Sequence, residues 1–339
     1  MKIVVLAGGL SPERNVSLSS GYKIASALRE NGNEVILADL YTGEILDSAP
    51  CLIEEKEPDL EKLKEETGLG DILIHPDILS LCQSCDLVFL ALHGAIGENG
   101  KLQAYLDLHG IPYTGSSSVG CMLSMDKDIA KQLMTENGIR TPRWKTYAVD
   151  TDLSVILKAF SYPFVIKPVS NGSSIGVSMV HSADDFWSAV HKVRIYEDQM
   201  IIEEMIEGRE VSVGILDGYA LPVIEILPIN GFYNYQNKYQ QGMTNEICPA
   251  LISPLLTADI QKTALKVHQA LRLGYYSRID FLINEKGDFY CLEANSLPGM
   301  TPVSLLPLEA AVAGISYASL CEQIAQNAVS SRLTSALLV

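Results

Sequence analysis

The sequence predicts an α/β chain: an amino-terminal parallel β-α-β unit, followed by β-rich units built from hairpins. Three observations predict it. Lys2–Ala7 and Glu34–Asp39 are short apolar strands flanking residues 17–31, which have helical character. Residues 164–168 and 176–180 are apolar runs on either side of a Gly/Ser loop. Residues 277–283 and 289–295 are two more, separated by the polar segment 284–288, which contains Gly287.

Taken in order, the first strand runs into GGLSPER at 8–14, and Gly32 stops the helix that follows. A β-α-β opening implies a right-handed crossover and a parallel sheet. The first turn lacks GxGxxG, which argues against a dinucleotide site, but a small-ligand site at the carboxyl end of the strand stays open. Glu13 reads two ways there: as the contact for a substrate ammonium, or as a first-turn acid complementing the helix dipole. Residues 54–71 are rich in Glu and Lys and read as a solvated helix or loop. Residues 86–92 form a strong strand ending in HGAIGENG at 93–100, whose glycines suit either backbone close to a ligand or a tight loop. His93 is either delivered to a site by that strand or structural.

Residues 115–120 are small and read as a linker. Ser124 or Asp126 then caps a helix. Lys127 near its start opposes the dipole, so an anionic partner would explain it. Lys167 lies inside an apolar strand, next to NGSSIGV at 171–177. That loop is a phosphate cradle of free N–H groups and hydroxyls, or an ordinary hairpin turn; the neighbouring lysine favours the phosphate. No GK[ST] opens a helix, so it is not a P-loop. Carboxylates at Glu203, Glu204 and Glu210 either meet an adenine amino group and ribose hydroxyls or are charge on a strand edge. Residues 230–243, NGFYNYQNKYQQGM, have no period, and a loop of this length is usually a lid. Residues 257–271 form an amphipathic helix, and 297–305 a loop able to carry substrate over the last hairpin.

In that hairpin, a four-residue loop closed by Asn284 and Phe289 would set Asp280 opposite Glu293 and Arg278 opposite Asn295. Strand side chains alternate. Arg278, Asp280, Glu293 and Asn295 then share one face, and Ile279, Phe281, Ile283, Tyr290, Leu292 and Ala294 the other. Two facing carboxylates repel unless a cation joins them, and two carboxylates with an amide oxygen suit Mg²⁺. The competing reading is a solvated face bearing an Arg–Asp pair.

At 339 residues, 47% hydrophobic and 19% charged, the chain has material for two or three domains and a substantial core. Its 25 basic and 41 acidic residues leave a net charge of −16, which argues against a nucleic-acid partner. No apolar run approaches a membrane span, and residues 3–7 are too short for a signal-peptide core, so a cytoplasmic location is expected. Seven scattered cysteines do not form a disulfide framework, and the CxxC of Cys82 and Cys85 reads as structural.

Seven segments in order resemble the ATP-grasp enzymes, and among them the D-alanine–D-alanine ligases. They are GGLSPERNVSLSSG (8–21), LHGAIGENG (92–100), SMDK (124–127), VIKP with NGSSIGV (165–177), IIEEMIEGRE (201–210), YNYQNKY (233–239) and RID with LEANSLPGMTPVSLLP (278–307). The resemblance implies a Rossmann-like parallel α/β domain over 1–118. A two-subdomain ATP-grasp α+β unit would follow over 119–203 and 204–339. It implies ATP-dependent synthesis of D-alanyl-D-alanine, through a D-alanyl phosphate, for peptidoglycan precursors.

The resemblance also implies roles, residue by residue. Lys127, Lys167 and Ser174 would hold ATP phosphates, with Glu203 and Glu204 at the adenine and Glu210 at the ribose. Asp280, Glu293 and Asn295 would bind two Mg²⁺ (or Mn²⁺). Glu13 would anchor the first D-alanine beside His93, and Arg278, Gly299, Ser304 and Leu305 would surround the second. Tyr233, Tyr235, Lys238 and Tyr239 would form a lid, with Tyr239, Ser173 and Glu13 in a hydrogen-bonded chain. Lys238-Tyr239 argues against a D-lactate-using ligase, and Leu305 favours alanine over serine. The mild departures are Arg14, where the family commonly has His, and Asn99, where it commonly has Asp. A homodimer is the expected assembly.

Overall fold

The computed structural model describes residues 1–46, 58–172, 175–229 and 244–336. Strands β1 (Lys2–Ala7), β2 (Glu34–Asp39) and β3 (Leu87–Leu90) form a parallel sheet in the order β2-β1-β3. Ile3 through Ala7 are fully buried, as the unbroken apolar run of a covered parallel strand requires. Helix α1 (Arg14–Glu30) makes the crossover and starts three residues before the predicted point. Glu13 is therefore the cap residue rather than a first-turn acid, and its side chain makes no capping bond. Helix α2 (Leu60–Thr67) buries no residue, as expected for a solvated segment.

Helix α3 (Pro76–Gln83) ends in the CxxC. Cys82 is buried, and burial pushes its thiol up to about 12. The six described cysteines are all free thiols. Helices α4 (Ala95–Glu98) and α5 (Lys101–Leu108) follow the third strand.

Residues 115–120 are not a linker. Helix α6 (Ser118–Met125) begins inside them, and Ser116 Oγ accepts from Gly274 N at 2.9 Å. A Cβ on Gly120 would stand 2.5 Å from the Arg272 carbonyl oxygen. The small residues here allow close packing between distant segments instead of freedom. Asp126 caps helix α7 (Lys127–Glu136), accepting from Ile129 N at 2.9 Å, while Ser124 closes the preceding helix.

Two antiparallel sheets complete the chain. The first has the order β4-β7-β5-β6, from β4 (Trp144–Ala148), β5 (Phe164–Pro168), β6 (Ser178–Val180) and β7 (Gln199–Glu204). Helices α8 (Leu153–Ile156) and α9 (Ala183–Arg194) supply Ile156, Phe186 and Val190 to its core. The second contains β8 (Arg209–Leu216), β9 (Tyr219–Ala220), β10 (Ile224–Pro228), β11 (Thr244–Ile247), β12 (Tyr276–Ile283) and β13 (Phe289–Asn295). Helix α10 (Pro254–Ala270) packs with the seventh helix under this sheet. Helices α11 (Leu305–Val312) and α12 (Tyr317–Ala336) bring Leu306, Leu320, Cys321 and Ile324 back into the amino-terminal core. Among the described residues no single helix is long and apolar enough to cross a membrane.

The last hairpin holds one correction. Arg278 pairs with Asn295 and Asp280 with Glu293 as expected, but Phe281 pairs with Cys291 and Ile283 with Phe289. A β-bulge at Leu292 absorbs the extra residue. The core face is therefore Ile279, Phe281, Ile283, Cys291 and Ala294, with Phe289 packed against it. Leu292, expected on that face, lines the opposite side with Leu282 and Glu293.

Glu309, on the eleventh helix, is wholly buried, and neither carboxylate oxygen finds a hydrogen-bond partner of good geometry. A Cβ on Gly214 would fall 2.5 Å from its Oε2, so the glycine makes room for it. Burial drives this carboxyl well above its ordinary 4.5; the Gly214 N–H and Arg278 charge oppose that only in part. An acid kept protonated in the fold but free to ionise once unfolded lowers stability as pH rises past 4.5, by up to ~1.4 kcal/mol per pH unit. Glu309→Gln should therefore raise the thermal midpoint, and by more near pH 8 than near pH 5. Equal midpoints for the two proteins across that range would contradict this account.

Candidate active site

A cavity of about 480 Å³ opens between the two antiparallel sheets, the size of a small-molecule site. Val165 and Met179 wall it from one sheet, with Val177 just before β6, and Ile226, Leu282 and Leu292 from the other. Lys127, Lys167, Glu203, Glu204, Glu210, Asp280 and Glu293 supply its charge. A narrow apolar slot with charged groups at its margin suits a flat ring system carrying an anionic tail.

Two of the lysines are the ones expected. Lys127 is the first residue of its helix, and its Nζ donates to the Asn171 carbonyl. Burial pulls its ammonium below the ordinary value; nearby Glu293 resists and Lys167 assists. Lys167 lies 2.8 Å from Glu203 Oε2. A third was missed. Lys131 is 1% exposed and stands 3.0 Å from Glu203 Oε1, an ion pair rather than a well-directed hydrogen bond. Its signal was present: Lys127, Ala130, Lys131 and Met134 form the buried stripe of one helix, with two lysines where apolar residues belong. Glu204 Oε1 accepts from Arg143 N at 2.8 Å, so its carboxylate ties two strand ends at the cavity rim.

On the hairpin, Asp280 is held from all sides. Arg278 donates to both of its oxygens, at 2.9 and 2.8 Å, Ser212 Oγ at 2.7 Å and Asn295 Nδ2 at 3.0 Å. The Arg–Asp pair of the competing reading therefore exists, but in a cavity wall rather than on a solvated face. Glu293, opposite, is half-buried, and its carboxylate forms no ion pair or hydrogen bond among the described residues. With its NH₂ committed to Asp280, Asn295 keeps its amide oxygen. This hard-oxygen set, with one carboxylate answered only by the Lys127 charge nearby, fits a divalent cation.

The hairpin also faces the amino-terminal domain. A second, smaller cavity is lined by residues that include Glu98, Lys127, Asn171, Gly172, Glu293 and Asn295, so the two cavities share Lys127, Asn171 and Glu293. Glu98 sits in the 93–100 segment, whose glycines are its most evident feature in sequence. Burial first, and then the nearby Glu13 charge, lift its carboxyl to about 8, while Arg278 opposes. Glu13 is 2% exposed, and a Cβ on Gly94 (φ +79°) would meet its Oε2 at 2.5 Å. Gly94 thus allows the 93–100 loop to close against this acid. Arg14, the departure from the family pattern, donates to Asp39 and to the Gly9 carbonyl and pins the first loop to the end of β2.

Gly299 and Ser304 lie together in the 297–305 loop: a Cβ on Gly299 would meet Ser304 Oγ at 3.0 Å, and that Oγ accepts from Thr301 N at 3.1 Å. Leu305 is buried in a small apolar cluster with Ile224 and Ile226. Ser173, Ser174, Tyr233, Tyr235, Lys238 and Tyr239 lie outside the described residues.

His93 is 5% exposed, with Nε2 3.2 Å from Ser20 Oγ. Burial, and secondarily Arg278, press its imidazole down from 6.5 to about 4. The unfolded chain takes up a proton in that interval that the folded chain refuses, so stability falls as pH drops through it. His93→Gln should flatten the slope of thermal midpoint against pH between 6.5 and about 4; an unchanged slope would show that His93 is not held neutral.

Comparison with known proteins agrees with this geometry. Residues 2–116 match the family model for the D-ala D-ala ligase N-terminus, and 133–326 that for the C-terminus. The chain is 43% identical to a D-alanine–D-alanine ligase of Pediococcus pentosaceus, over 96% of each chain. It is 38% identical to one of Lacticaseibacillus casei, over 96% of this chain and 94% of the other. The crystal structure of the Bacillus anthracis D-alanine–D-alanine ligase complexed with ATP superposes with a TM-score of 0.78 at 31% identity, over 99% of both chains. The chain belongs to the D-alanine–D-alanine ligase family.

Proposed function

We propose how the residues of this site divide the family's reaction, the ATP-driven joining of two D-alanines to D-alanyl-D-alanine for peptidoglycan synthesis. The observation that carries the reading is that Lys127, Asn171 and Glu293 line both cavities, so a nucleotide phosphate in one would lie beside a carboxylate held from the amino-terminal side in the other. Adenine lies in the apolar slot between Met179 and Leu292, with Glu203 and Glu204 near its amino group and Glu210 at the ribose. Lys127 and Lys167 hold the phosphates, and Ser174 of the Gly/Ser loop assists. Asp280, Glu293 and Asn295 would hold Mg²⁺ or Mn²⁺, which when bound neutralises charge on the phosphates.

Glu13 anchors the ammonium of the first D-alanine, beside His93. The carboxylate of that first D-alanine attacks the γ-phosphorus and ADP leaves, giving a D-alanyl phosphate. The neutral amine of the second D-alanine adds to that carbonyl, and phosphate departs. Arg278 and the Gly299 N–H stabilise the oxyanion between these steps. Arg278 suits this task because its bidentate pair of hydrogen bonds to Asp280 fixes the guanidinium before substrate arrives. Ser304 and Leu305 bound the second subsite, and Tyr233, Tyr235, Lys238, Tyr239 and Ser173 belong to the covering loops. The enzyme acts in the cytoplasm as a homodimer, with the domains dividing near residues 118 and 203.

Incubation with ATP and D-alanine should yield ADP, phosphate and D-alanyl-D-alanine by mass spectrometry, with little product from D-lactate or D-serine in competition. ATP turnover without dipeptide would contradict the reading. Asp280→Asn and Glu293→Gln should each lower kcat at least ~10²-fold in a folded protein, and near-normal turnover with Mg²⁺ would remove the metal role. Gly176 has φ +74°, and a Cβ there would meet Pro168 Cγ at 2.8 Å. Gly176→Val should raise KM for ATP and spare KM for D-alanine; an equal change in both would assign the loop another role.

A further inference from the structure

Lys131 does not line the cavity, yet it is tied to it. Its Nζ is 2.6 Å from Thr141 Oγ1, 3.3 Å from the Pro142 carbonyl and 3.0 Å from Glu203 Oε1. The other Glu203 oxygen belongs to Lys167, at 2.8 Å. One carboxylate, 3% exposed, is thus divided between two ammonium groups. Of the three, only Lys167 and Glu203 reach the cavity.

This arrangement answers an electrostatic difficulty. A lysine that binds phosphate must turn its charge toward the nucleotide. If Glu203 had no other partner, that turn would strand a desolvated carboxylate, which is strongly disfavoured. Lys167 would stay locked on Glu203 instead. Two lysines on one acid also leave a net charge of +1 beside Lys127, where a neutral pair would leave none. Lys131 has its own fixed partners in Thr141 and Pro142 and almost no exposure to water, so it can serve as a permanent counter-charge.

We propose that Lys131 is a positioning residue that keeps Glu203 compensated, so that Lys167 is free to pass from Glu203 to a phosphate of the nucleotide. The inference rests on the reading of Lys167 as a phosphate ligand. It separates Lys131 from a lysine that merely fills the space beneath its helix. Such a filler would act on stability and not through Glu203.

The test is a double-mutant cycle read by calorimetric binding of a non-hydrolysable ATP analogue, with KM values for ATP and D-alanine alongside. Lys131→Met should weaken nucleotide binding at least ~10-fold and raise KM for ATP but not for D-alanine. In a Glu203→Gln background no charge holds Lys167, and the same substitution should change affinity less than ~3-fold. Equal losses in both backgrounds, or no loss in the single variant, would overturn the proposal. Should Lys131→Met fail to fold, the double variant strands no charge. It is then compared with Glu203→Gln alone: a difference under ~3-fold supports the proposal, and one above ~10-fold refutes it. Lys167→Met is the control. Undiminished binding there would dismiss the phosphate reading and this inference with it, whereas lost binding with additive Lys131 effects would dismiss this inference only.

Discussion

A charge withdrawn from water persists only where another charge or several hydrogen bonds answer it, and this constraint organises the centre of the molecule. Glu203, Lys131, Lys167 and Asp280 are all nearly inaccessible to solvent. Their partners come from different elements: Lys131 from a helix, Glu203 and Lys167 from adjacent strands of one sheet, Arg278 and Asp280 from a strand of the other. Each ion pair lies within one sheet or between that sheet and a helix, so the cavity between the sheets is flanked by paired charges.

The backbone serves the same end. Strand β12 is hydrogen-bonded on both sides along its length, to β8 and to β13, so Arg278 and Asp280 project from the most constrained part of the sheet. The bulge at Leu292 then turns an apolar residue and Glu293 toward the same cavity. One inserted residue thereby places Leu292 beside Glu293 on the cavity side of the strand. The two carboxyl-terminal helices close the arrangement by packing into the amino-terminal core. That return sets Glu13, His93 and Glu98 opposite the hairpin, and burial there, ahead of the neighbouring charges, perturbs the titration of His93 and Glu98.

Family membership explains what such a site is for, while Lys131, Glu98 and Glu309 are features of how this chain builds it. None of the three stands out by residue type alone. Each is notable because of where the fold leaves its charge.

Much of this was legible in the chain. The strands at 2–7 and 34–39, the paired carboxylates of the last hairpin, Lys127 and Lys167 all followed from local pattern, because apolar periodicity and a charged residue inside an apolar run are signals carried by neighbours in sequence. Tertiary structure alone decided the rest. It turned the small residues of 115–120 from a linker into a tight junction, since the atoms they abut, at Arg272 and Gly274, lie more than a hundred positions away. It moved Leu292 across the sheet, since a bulge depends on how both strands are anchored. It joined Lys131 to Glu203, since an ion pair between a helix and a strand 72 positions apart leaves no mark in either segment's own pattern. Local sequence determined which residues could carry charge into the interior; only the packing of distant elements determined which charge each would meet.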